Sequence, residues 1–174
     1  MKLFNPANII TLTGLLPVLF GFYFINTHQP LKAIGAMGIA LLLDILDGYV
    51  ARKLNVTSNL GRNLDSFLDA FNYLILTSYF LYTFFDFNGW LKLFLIFCIL
   101  AGGILRLSRH NVTGLTKQQN QLYYTGLIVP YIQLTIILFF LFSAYVTPRL
   151  SPLLIIIIPL LSRLMIANFK MKKL

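Results

Sequence analysis

Six apolar segments, each about long enough to cross a bilayer, leave this chain little choice of fold. A spanning helix needs about 20 mostly apolar residues, within a range of roughly 17 to 25. Such segments run approximately over 9–25, 31–50, 64–85, 90–107, 122–146 and 152–169. Charged residues make up only 11% of the 174 positions and hydrophobic ones 58%, which excludes a water-soluble globular domain. Loop chemistry separates the runs at 26–30, 86–89, 111–121 and Thr147-Pro148. The expectation is an all-α integral membrane protein of six transmembrane helices, one domain over 1–174. Pro17 and the large aromatics of the first segment do not suit a cleaved signal peptide, so that segment is expected to stay.

The net charge of +9 comes from basic residues set between apolar runs, which points to anionic lipid headgroups and not to nucleic acid. With an even number of spans both termini share a side. Lys2, Arg52, Lys53, Arg62, Arg106, Arg109, Lys117, Arg163, Lys170, Lys172 and Lys173 then fall on or near that side, eleven in all, against Lys32, Lys92 and Arg149 on the other. The positive-inside bias places both termini in the cytoplasm. Cys98 is alone, with no partner for a disulfide or a cysteine metal site, and is read as packing. Trp90 and Tyr145 are expected as interfacial anchors.

The acidic residues are concentrated. There is no Glu, and four of the five Asp, at 44, 47, 65 and 69, lie within 26 positions. Ionisable groups in membrane segments are costly and mark sites, pathways or partners. Asp44 and Asp47 are i, i+3, and Asp65 and Asp69 are i, i+4, so each pair projects from one helix face. A short return through 53–63 lets the two faces meet near the cytoplasmic boundary. Four converging carboxylates raise one another's pKa unless a cation relieves them. An all-oxygen set with no nearby His or Cys suits a hard ion such as Mg²⁺, or Mn²⁺ in its place. Gly48 costs about 1 kcal/mol relative to Ala in a helix, which suggests that it makes room, and Arg52 one turn on is a natural phosphate clamp. The same residues also fit headgroup-solvated polar positions, or a proton or ion relay of a transporter.

In order, the residues read Asp44, x2, Asp47-Gly48, x2, Ala51-Arg52, x8, Gly61, x3, Asp65, x3, Asp69. This resembles the signature of the CDP-alcohol phosphatidyltransferase family at every fixed position. Eight specified residues at about 6% usage each recur by chance on the order of once in 10¹⁰ starting points. The resemblance implies six spanning helices, a homodimer, and transfer of a phosphatidyl group from CDP-diacylglycerol to a small alcohol with release of CMP. It implies a two-ion Mg²⁺ or Mn²⁺ centre held by Asp44, Asp47, Asp65 and Asp69, with Asp69 also the base. It further implies a CDP pocket lined by Asp47, Gly48, Ala51, Arg52, Gly61 and Asp65.

A second resemblance bears on the acceptor. Gly103, x2, Arg106-Leu107-Ser108-Arg109-His110-Asn111 looks like a stretch of the phosphatidylserine synthases of that family. So do Thr57-Ser58 through Leu64-Asp65-Ser66 and, weakly, Tyr124-Thr125-Gly126-Leu127-x2-Pro130. Tyr49 and the 70–73 stretch depart from their pattern. L-serine is the implied acceptor, with Arg106, Arg109 and Arg163 as candidates to hold its carboxylate. The same forks also suit glycerol 3-phosphate or inositol phosphate.

Overall fold

The computed structural model describes residues 6–54, 59–113, 116–118, 121–146, 148–168 and 170–172. Lys2, Thr57, Ser58, Thr147 and Lys173, which entered the arguments above, lie outside them. The chain packs as two compact units, Met1–Asn72 and Tyr73–Leu174.

The first unit holds α1 (Pro6–Thr13), α2 (Leu15–Asn26), α3 (Pro30–Lys53) and α4 (Asn59–Asp69). α1 and α2 are one apolar run broken at Gly14. Pro17 has no N–H to offer the carbonyl of Thr13, so one ladder bond is missing there, while the Gly14 N–H keeps its helical bond to the carbonyl of Ile10 and shares it with that of Thr11, at 3.1 and 3.0 Å. α2 stops in a Schellman turn. The N–H of His28, at φ 55°, reaches the carbonyl of Ile25, and that of Gln29 reaches Phe24. Pro30 then starts α3 at the one position where a missing N–H is harmless. α1 packs on both α3 and α4, and α2 packs on α3.

α4 runs on without interruption through a π-helical segment, Ala70–Leu76, into α5 (Thr77–Phe84). The second unit continues with α6 (Gly89–Thr113), β1 (Thr116–Gln118), β2 (Gln121–Thr125), α7 (Pro130–Tyr145), a 3₁₀ turn (Pro148–Leu153), α8 (Leu154–Ile166) and β3 (Lys170–Lys172). Asn88 starts α6 by accepting the Trp90 N–H. Two glycines let α6 approach its neighbours closely. A Cβ on Gly102 would sit inside the Ser162 side chain and 3.0 Å from its Cα; one on Gly103 would sit inside the Leu74 side chain. The Ser162 hydroxyl donates to the carbonyl of Cys98 on α6. α5 meets α7 through Phe80, Phe84 and Phe140, and through a buried bond from Gln133 Nε2 to Thr77 Oγ1 of 3.2 Å. Such side-chain bonds hold helices together where lipid gives no hydrophobic drive.

The helical membrane class is as expected. Three helical runs, Asn8–Asn26, Pro30–Lys53 and Gly89–Val112, are long and apolar enough to cross a membrane, and Pro130–Tyr145 and Ser151–Ile166 are shorter apolar helices. The expected third segment corresponds to the α4–π–α5 run, which carries Arg62, Asp65 and Asp69 in its first part. Two boundaries are corrected. α6 extends to Thr113, into the polar stretch read as loop. The fifth helix begins at Pro130 and not at 122, because Gln121–Thr125 is the middle strand of an antiparallel sheet ordered β1-β2-β3. Gly126 at φ 77° turns the chain out of that strand, and Pro130 fixes the helix start. The C-terminal β3 closes the sheet, with Tyr124 opposite Met171.

Candidate metal centre and active site

The site grows from three helices of the first unit. α3 offers Asp44 and Asp47 from one face, and α4 offers Asp65; a carboxylate oxygen of each lies within 4.8 Å of the other two. Oxygens bound to one hard ion at about 2.0–2.6 Å lie up to about 5 Å apart, so the three fit a divalent cation. α1 is the piece that positions them, since both α3 and α4 pack against it. Gly14, just past its end, faces Leu68 of α4, whose Cδ1 is 3.8 Å from where a Cβ would stand. From α1 the Thr11 hydroxyl donates to the carboxylate of Asp47, which also feels the negative charge of Asp44 and the positive charge of Arg52. Asp47 is 5% exposed.

Asp69 is the last residue of α4, one turn beyond Asp65, and falls outside the three-carboxylate cluster among the described residues. The π-helical segment begins directly after it.

The residues expected to line a CDP pocket sit on the same two helices. Arg52 is exposed at the end of α3, and its guanidinium folds back over Gly48: a Cβ at 48 would lie 3.3 Å from Nη1. A side chain at 48 would thus press on the arginine of its own helix. Ala51 and Gly61 are half-buried on α3 and in the first turn of α4.

The three arginines expected at the acceptor differ in their settings. Arg106 is buried on α6 at 4% exposure, and Arg163 is exposed in the last turn of α8. Arg109 turns to the end of α8. Its Nη1 donates to the carbonyl of Ile166 at 2.7 Å and to Asn168 Oδ1 at 3.1 Å, and its Nη2 to the carbonyl of Met165 at 2.9 Å. The other last-turn carbonyls of α8 are also taken: Leu164 accepts the Leu127 N–H, and Arg163 accepts the Ala167 N–H. All four carbonyls that a helix end leaves orphaned are thus satisfied, with a cation against the negative end of the helix dipole. Gly126 belongs to this cap. A Cβ there would overlap the Met165 carbonyl oxygen and lie 2.6 Å from Arg109 Nη2. Two stretches that carry the resemblance to phosphatidylserine synthases, around 109 and around 126, thus meet at the end of α8.

Arg109→Ala is expected to lower stability by about 2 kcal/mol or more, since charged hydrogen bonds contribute about 1.5–3 kcal/mol each. Arg109→Lys should rescue little, because an ammonium cannot span the same carbonyls. Thermal melting in detergent reads both, and a variant melting like wild type would refute the cap.

Sequence reasoning missed Thr11 and its buried neighbour Asn8, 2% exposed one turn earlier on α1. A Thr and an Asn in an apolar run carry no spacing signal of their own.

Together these features define a helical integral membrane protein with an oxygen-only acidic centre and an arginine folded beside it. The chain belongs to the CDP-alcohol phosphatidyltransferase family, whose model matches residues 4–167. Among curated relatives it is similar to proteins named CDP-diacylglycerol--serine O-phosphatidyltransferase. One from Methanocaldococcus jannaschii is 36% identical over 105 residues, 60% of this chain and 45% of the relative. One from Helicobacter pylori is 25% identical over 167 residues, covering 94% and 70%, and one from Bacillus subtilis 29% over 126 residues, covering 71% and 68%. The match to the archaeal relative thus spans less than half of that protein's length.

Proposed function

We propose that this protein transfers a phosphatidyl group from CDP-diacylglycerol to the hydroxyl of L-serine, releasing CMP. The observation that carries the reading is the meeting of Asp44, Asp47 and Asp65 within 4.8 Å, in a chain whose family handles CDP-linked alcohols. Serine as acceptor is supported by the names of the relatives and by the sequence stretch from Gly103 to Asn111. The family match runs across both compact units, which supports treating 1–174 as one domain, and the family resemblance implies a homodimer.

Asp44, Asp47 and Asp65 would hold Mg²⁺ or Mn²⁺, with Asp69 completing a second site. Divalent ions neutralise diphosphate charge and favour the leaving phosphate when bound. The protein's own groups supply the rest. Arg52, Gly48, Ala51 and Gly61 form the wall that receives the CDP diphosphate. Asp69 accepts the proton of the serine hydroxyl as its oxygen bonds to the phosphatidyl phosphorus; the bond from that phosphorus to the CMP oxygen breaks, and CMP leaves with the electron pair. A carboxylate within hydrogen-bond reach is a credible base for this step. Arg106, with Arg163, is the candidate to pair with the serine carboxylate; Arg109 is committed to α8.

The test is a panel of acceptors given with labelled CDP-diacylglycerol in detergent, without any gradient. Phosphatidylserine and CMP are expected with serine only; product with glycerol 3-phosphate or inositol phosphate would move the acceptor, and no CMP release would end the transferase reading. Within that panel, Arg106→Ala should raise the KM for serine while leaving donor affinity near wild type. An unchanged serine KM with weakened donor binding would assign Arg106 to the donor.

The eleven-to-three basic asymmetry supports a cytoplasmic active face. Single cysteines introduced at Lys172 and Asn59 are expected to label only from the cytoplasmic side of intact cells. Labelling from outside would invert the orientation.

A further inference from the structure

The first helix carries no acidic or basic residue between Pro6 and Thr13, yet it places polar side chains where an apolar helix should have none. Asn8 and Thr11 are i, i+3 on one face of α1, and both are buried, at 2% and 5% exposure. Burying a hydroxyl without a hydrogen bond costs free energy that a Val of the same shape would avoid. The Thr11 hydroxyl recovers that cost by donating to the carboxylate of Asp47, itself the most buried of the three clustered acids. One carboxylate oxygen is thereby held by α1, and α1 is also the helix against which α3 and α4 both pack.

We infer that Thr11 is a positioning residue for the acidic centre: its hydroxyl fixes the rotamer of Asp47, so that the carboxylate presents its free lone pairs toward Asp44 and Asp65. This rests on the proposed divalent site and goes beyond it, because it assigns to α1 a part of ligand geometry that the carboxylates alone do not carry. Outer partners of this kind typically contribute 10–100-fold to metal affinity when lost. Ser carries the same hydroxyl and should serve in its place; Val lacks it and should not.

The experiment measures Mn²⁺ binding by the electron paramagnetic resonance signal of free Mn²⁺, titrated into the purified full chain in detergent without substrates. Thr11→Val is expected to weaken Mn²⁺ binding by about 10–100-fold, and Thr11→Ser to bind close to wild type. If the Val variant does not fold, Thr11→Ala against Thr11→Ser decides the same question, since those two differ by the hydroxyl alone. Wild-type affinity in Thr11→Val or Thr11→Ala, with Asp47→Asn strongly weakened, would overturn the positioning role and leave the metal site standing. Equal binding by wild type and Asp47→Asn would remove the metal site and the positioning role together. A loss in Thr11→Ser as deep as in Thr11→Val would show that packing, and not the hydroxyl, is what matters, and would also overturn it.

Discussion

Purified protein stripped of divalent ions by excess chelator is expected to lose CMP release by at least about 10³-fold, because metal-derived charge stabilisation amounts to several kcal/mol and each 1.36 kcal/mol is tenfold in rate. Adding Mg²⁺ or Mn²⁺ back should restore it. The expectation follows from three carboxylates gathered within 4.8 Å on two helices, an arrangement whose mutual repulsion favours a bound cation. Asp47→Asn should reproduce the loss without a chelator, since it removes the charge of the most buried ligand. Full turnover in persistent excess chelator would refute the metal centre, whatever the acceptor.

The second large effect concerns Asp69. Asp69→Asn keeps the shape of the side chain and removes its basicity, so kcat should fall by about 10²- to 10⁴-fold, the usual contribution of a general base. CDP-diacylglycerol affinity should change much less, because Asp69 lies outside the cluster of Asp44, Asp47 and Asp65. That separation makes the experiment informative. A variant that loses Mn²⁺ binding as completely as Asp47→Asn would make Asp69 a ligand first, and one that keeps its kcat would leave the base to another group.

The acidic cluster was legible in the sequence because it depends on local geometry: i, i+3 spacing on α3 and a short return to α4. The apolar runs were legible for the same reason, since length and composition alone define them. What could not be read depends on partners distant along the chain. Arg106 and Arg109 stand three apart on one helix and look equivalent as letters, but only the folded chain brings the end of α8 to Arg109. Residues 122–125 look like the start of an apolar helix, and become a strand because β1 and β3 pair with them from both sides. Thr11 is invisible for a third reason: one hydroxyl in an apolar helix has meaning only through the acid it faces.

The shortness of α7 has a consequence for the surrounding lipid. Its 16 residues cover about 24 Å at 1.5 Å per residue, several ångströms less than the roughly 30 Å hydrocarbon core of a typical bilayer. Such a mismatch is met by thinning the adjacent bilayer or by side chains that reach back to the interface, at a fraction of a kcal/mol per ångström. Thinning would compress the acyl chains around this helix relative to the bulk, so membranes of shorter-chain lipids are expected to hold the protein with less elastic strain than thick, sterol-stiffened ones.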